Sequence, residues 1–230
     1  AQRQETIAIA QQQETNTTVL TTITDIIAAN PVSGEPWRFL HVTDGAAGGT
    51  GAFENPLGDV TGATAIAATA GNDVIYVNAG DLTGLDGFTI PANVQVLSSG
   101  VPQVLCASIV GVIPLPGSGT GTLPLLNCAT VTAGGLTGVV AMGNNTTLSG
   151  FEIRTTGANE NGVIARNTEN PTIDRNQITT TGDAARGIFF RADSATLQNA
   201  TISGNRITTA VTDAYGVFTY ASGSSALYTL

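Results

Sequence analysis

The side chains best suited to chemistry lie late in the chain, where Asp174, Arg175, Asp183, Arg186, Arg191, Asp193 and Arg206 fall close together. Paired carboxylates at the right separation can hydrolyse a glycosidic bond, one as acid and the other as base or nucleophile. The arginines Arg175, Arg186, Arg191 and Arg206 are the binding candidates. Arg175 and Arg206 are offset within their local motif and need not stack. The plainer reading of this cluster is mutual charge pairing on a solvated face, and no catalytic residue is assigned.

Other candidates are thinner. His41 is the only histidine and has no serine or cysteine motif to serve, so a catalytic triad is not expected. Asp44, Glu54, Asp59, Asp73, Asp81 and Asp86 supply oxygens, yet none keeps the Asp-x-Asp-x-Asp spacing of a calcium loop. Calcium is therefore a minor alternative to having no cofactor. Trp37, Tyr215, Tyr220 and Tyr228 can stack on sugars, but packing explains them as simply. Asn-x-Thr sites at Asn16, Asn144, Asn145 and Asn199 matter only in a eukaryotic secretory pathway. Cys106 and Cys128 predict a disulfide in an oxidising compartment, with two buried thiols as the alternative.

The elements that must position these residues follow from an unusual composition. Of 230 residues, 42% are apolar, 11% charged and 5% aromatic. The core is ample, and the surface must be built from Thr, Asn, Ser, Gly and Gln. There is no lysine; all eight basic residues are arginine, and the net charge is −9. Such a chain lacks the basic stripe of a nucleic-acid binder, and anionic membranes repel it. No apolar run reaches the length of a membrane-spanning helix, and Ala1–Glu5 is not a signal peptide. The expected setting is extracellular or cell-surface.

Residues 1–30 contain no Gly or Pro before Asn30 and carry Ile7, Ala10, Val19, Ile23, Ile26 and Ile27 at helical spacing, predicting a helix or connector. β-Branched residues between 17 and 23 weaken the helix. Residues 31–100 carry strands at Arg38–Val42, Val74–Val77, Phe88–Ile90 and Val94–Leu97, with a short helix over 60–70. Residues 101–130 are a Pro/Gly-rich excursion containing both cysteines. Residues 131–230 hold a repeat.

Three segments align: Thr147–Ile153, Thr172–Ile178 and Thr201–Ile207. Leu148, Ile173 and Ile202 are spaced by 25 and 29, as are Ile153, Ile178 and Ile207. A second series starts at Gly138, Gly162, Gly187 and Gly216, spaced by 24, 25 and 29. A unit of about 25 residues holds two or three short strands and their turns, and cannot bury its apolar face alone. Stacked units share one core of Ile and Leu ladders, with Asn and Gly at corners that need left-handed backbone. The period predicts an all-β, right-handed parallel β-helix, preceded by the helical or connector segment. Ala226–Leu230 reads as the start of another coil, so the solenoid is expected to continue beyond 230.

The corners Ile173–Ile178 and Ile202–Ile207 resemble the Ile-x-x-Asn-x-Ile corners of the right-handed parallel β-helix (pectate-lyase-like) superfamily. Leu148–Ile153 departs from that pattern with Phe151 at the Asn position. Residues 30 to 155 also resemble the layout of cyanobacterial surface proteins of the inverse autotransporter type. That resemblance implies that residues 1–29 are a linker following an outer-membrane barrel. The superfamily includes polysaccharide-cleaving enzymes, using calcium with an arginine base or paired aspartates. The function expected is a non-enzymatic structural or adhesive module of a bacterial surface protein. Alternatives are a polysaccharide-active or glycan-binding helix, and a subunit of a self-associating fibre. Expected partners are surface glycans or other copies of the chain.

Overall fold

A computed structural model of the chain describes residues 29–31, 33–67, 73–80, 84–109, 111–127, 129–193, 197–222 and 227–229. The chain forms two compact units, residues 1–37 with 104–114, and residues 38–103 with 115–230. In the first unit, strands Val104–Ala107 and Gly111–Pro114 pair antiparallel. The Trp37 indole N–H donates to the Cys106 carbonyl at 2.8 Å, and the Ser108 amide donates to Ala29 at 2.9 Å. The helix or connector expected over residues 1–30 lies outside the described residues, apart from its last two. The expected Cys106–Cys128 bridge is not formed: Cys106 is a free, exposed thiol, and Cys128 lies outside the described residues. Its exposure on a strand of the excursion also excludes the buried-thiol alternative for Cys106.

The second unit is the solenoid. Its first sheet stacks Arg38–Val42, Asp73–Val77, Gln95–Ser98, Thr147–Ser149, Thr172–Asp174 and Thr201–Ser203, all parallel. Its second stacks Leu125–Leu126, Glu152–Thr155, Gln177–Thr180 and Arg206–Thr209. Its third stacks Phe88–Thr89, Leu136–Ala141, Glu160–Arg166, Arg186–Ala192 and Tyr215–Ala221. Every second side chain of a strand points inward. Leu148 therefore sits over Ile173 and Ile202, Ile153 over Ile178 and Ile207, and Val163 over Ile188 and Val217.

These positions fix the geometry of a coil. From first to second sheet the chain advances five residues, as in Ile173 to Ile178. From second to third it advances ten, as in Ile178 to Ile188. The change of period from 25 to 29 falls wholly in the return from third sheet to first, where Val163 to Ile173 becomes Ile188 to Ile202. One landmark of the sequence reading needs correction. Gly138 pairs with Asn161, and Val140 with Val163, so the glycine series slips by one at its first member. Val139 and Val140 are both buried, which hides the slip in an apolar run.

The later glycines have a steric reason. A Cβ on Gly162 would lie 2.6 Å from the Gly187 carbonyl oxygen, and one on Gly187 would lie 2.6 Å from that of Gly216. Each glycine lets the next coil's backbone occupy the volume of a side chain.

Two kinds of corner appear. Between first and second sheets, Gly150, Arg175 and Gly204 all take left-handed φ of 87°, 52° and 63°. The motif asparagines act differently, by bonding along the stack rather than by a left-handed backbone. Asn176 Oδ1 accepts from the Phe151 amide at 2.9 Å, and its Nδ2 donates to the Leu148 carbonyl at 3.1 Å. Asn205 repeats this one coil on, with the Asn176 amide and the Ile173 carbonyl. Phe151, which occupies the Asn position earlier, is fully buried against Phe88. Between third and first sheets, Asn93, Asn145 and Asn170 take left-handed φ. Their amides bond in sequence, Asn145 to Asn93 at 2.9 Å and Asn170 to Asn145 at 2.8 Å.

The expected short helix spans Val60–Ala67. Asp59 Oδ1 accepts the Gly62 amide at 2.5 Å, satisfying an amide left open at the helix start. Val60, Ala63, Thr64 and Ala67 are its buried face. Three of them join the core of Leu40, Val42, Val77 and Phe88. The helix thus stands between the first two strands of the first sheet in the chain and covers apolar side chains of the core.

Candidate functional site

The step sizes decide which charged residues can meet. Arg175 sits at the left-handed corner, and Arg206 aligns with Gln177 on the second sheet, two positions further along the strand than Arg175. Arg175 is held by Asp174 at 2.5 Å and by the Pro102 carbonyl. Neither joins the other arginine candidates. Arg186 and Arg191, by contrast, open and close one strand of the third sheet.

On the outward face of that sheet, Ile164, Phe189 and Phe218 form a column with Ala141 and Leu136. The Phe189 and Phe218 rings lie 5.3 Å apart at 63°, an edge-to-face pair. The Arg186 guanidinium lies 4.7 Å from both ring centroids. Among the described residues its buried Nε has no hydrogen-bond partner, and the ring faces offer it the attraction a cation finds over an aromatic quadrupole. Tyr215, aligned with Arg186, packs 5.2 Å from Phe218 and remains 48% exposed. At the other end of the strand Arg191 lies 5.6 Å from the Tyr220 ring, which is 45% exposed.

Asp193 anchors this second end. Arg191 Nε donates to its Oδ1 at 2.6 Å, and Arg166 to its Oδ2. These two guanidiniums hold the carboxyl at about 2, well below its ordinary value; the Ser222 hydroxyl adds a further bond. The site is a band of exposed tyrosines around the half-buried Phe218, with Phe189 buried beneath, between two arginine posts. In the sequence Arg186 and Arg191 stand out as binding candidates, and Tyr215 and Tyr220 as separate stacking candidates. Their union on one strand pair needed the register: Arg186 aligns with Tyr215, and Arg191 with Tyr220.

The other candidates fall elsewhere. Asp73 is buried and paired with Arg38, and Asp59 caps the helix. Asp174 accepts from Arg175 and from Ser203 of the next coil, so this carboxylate, like Asp193, is already paired within and across coils. Among the described residues no three His, Cys, Asp or Glu side chains converge as a metal site. His41 packs among Phe39, Phe53 and Tyr76. Burial pushes its pKa below the ordinary histidine value, with Glu54 opposing. Asn144 and Asn145, two of the Asn-x-Thr residues, accept hydrogen bonds from the adjacent coil.

Residues 115–228 match the sequence model of a family described as "Right handed beta helix region". No curated protein and no solved structure matches the chain. Together with the three parallel sheets, this match makes the fold a right-handed parallel β-helix.

Proposed function

We propose that this right-handed parallel β-helix is a non-enzymatic, extracellular module of a bacterial surface protein, and that its third sheet binds an extended glycan. The observation that carries the reading is the row Tyr215, Phe218 and Tyr220, flanked by Arg186 and Arg191. Rings held by neighbouring side chains offer apolar area at little entropic cost, and a sugar ring presents C–H groups to pack on them. The arginine posts are already oriented by the rings and by Asp193, so binding need not freeze them. The acidic, lysine-free surface fits a role outside the cell.

Affinity electrophoresis against neutral, amino-sugar and uronate polysaccharides tests the proposal. At least one polymer should retard the wild-type chain, and Tyr215→Ala/Tyr220→Ala should migrate freely in it. Equal retardation of both proteins, or none in any polymer, would overturn it.

A further inference from the structure

A second candidate surface lies between the second and third sheets. From Ile153, Ile178 and Ile207 the chain takes ten residues to reach the third sheet, but from Leu126 to Val140 it takes fourteen. The longer turn is tied to the preceding coil by the Gly87 amide, which donates to the Ala129 carbonyl, and carries a hairpin of Val131–Ala133 against Leu136–Gly138. Beside it lies a cleft of about 560 Å³, lined by Asn127, Ala129, Thr130, Arg154, Thr155 and Glu160 among others. Its volume lies within the ordinary range of ligand sites, roughly 300 to 1,000 Å³.

Two planar polar groups in this cleft are held in place yet partly unspent. Glu160 Oε2 accepts from the Thr155 hydroxyl at 2.8 Å and from the Gly157 amide at 2.9 Å. Its Oε1 accepts from no described group. Arg154 directs Nε and Nη2 to Glu152 Oε1 at 2.8 and 2.5 Å, and its Nη1 donates to no described group. A sugar hydroxyl donates one hydrogen bond and accepts others. A carboxylate oxygen and a guanidinium N–H lining one cleft therefore suit the hydroxyls of a bound sugar. With Glu152 and Glu160 both present against one arginine, an anionic sugar is disfavoured.

We infer that this cleft binds one or two units of a neutral or N-acetylated saccharide. The inference rests on the cleft's own groups and stands whether or not the third sheet binds glycan.

Saturation-transfer NMR on the full chain tests it, with cellobiose, maltose and N,N′-diacetylchitobiose as probes at millimolar concentration. At least one disaccharide should bind. Ala129→Trp, an exposed position on the cleft wall, should abolish the signal, and Glu160→Gln should weaken affinity about tenfold or more. All cleft variants are compared in the Tyr215→Ala/Tyr220→Ala background, so that the signal reports the cleft and not the third sheet. Arg154→Gln, a surface change, provides a second variant should Ala129→Trp melt early, and it should also weaken binding. Failure of all three sugars to bind, or undiminished binding by the folded cleft variants, would overturn the inference.

Discussion

Gly187→Ala is the most informative single change to the stack. The added Cβ would lie 2.3 Å from Ile207 Cγ2 and 2.6 Å from the Gly216 carbonyl oxygen. The isoleucine methyl can rotate or shift, but the carbonyl belongs to a strand fixed by its ladder. Relief requires the two coils to part by several tenths of an ångström at that point. Overpacking of this kind costs about 1–3 kcal/mol. For a chain of this size, about 2–4 °C of melting temperature is lost per kcal/mol. Gly216→Ala is the internal control, because its Cβ meets nothing nearer than Ile207 Cγ2 at 3.8 Å. It should stay within about 0.5 kcal/mol of the wild type. Thermal and urea unfolding of the two variants measure the difference. Equal losses, or a neutral Gly187→Ala, would refute the close approach of successive coils at this column.

Asn176→Ala should destabilise by about 2–4 kcal/mol in urea unfolding, since the buried Phe151 amide and Leu148 carbonyl both lose a partner. A loss below about 0.5 kcal/mol would remove the asparagine ladder from the account. Asp193 has its carboxyl lowered to about 2 by Arg191 and Arg166. Its contribution is fully present above the ordinary carboxylate value and fades as pH falls from about 4 through 2. The acid limb of the stability profile should therefore flatten in Asp193→Asn, and an unchanged limb would count against the pairing. Cys106, free and exposed, should react with a maleimide in the folded protein, and Cys106→Ser should melt at the wild-type temperature. Protection of Cys106 that reductant removes would restore the disulfide.

Much of the solenoid was legible in the residues because a coil repeats its steric demands. Leu148, Ile173 and Ile202 must all fill the same interior slot, so their spacing reports the period directly. The slip at Gly138 was not legible, since neighbouring valines are equally buried there and the alternation carries no phase. The Asn93, Asn145 and Asn170 column was missed because its members resemble ordinary loop residues. Only the shared left-handed φ and the amide chain reveal them. The candidate site was half visible. Arginines are conspicuous in a lysine-free chain, but which of them share a face depends on steps of five and ten that no single residue announces. The disulfide expectation failed because pairing was inferred from composition, whereas Cys106 lies on a strand with its side chain facing out.

Binding without turnover is tested in one titration. The chain is titrated into a polysaccharide that retards it, and polymer length is followed by size-exclusion chromatography at saturation. The account predicts saturable binding, unchanged polymer length, and loss of binding in Tyr215→Ala/Tyr220→Ala. Shortening of the polymer, or full binding by that variant, would contradict it.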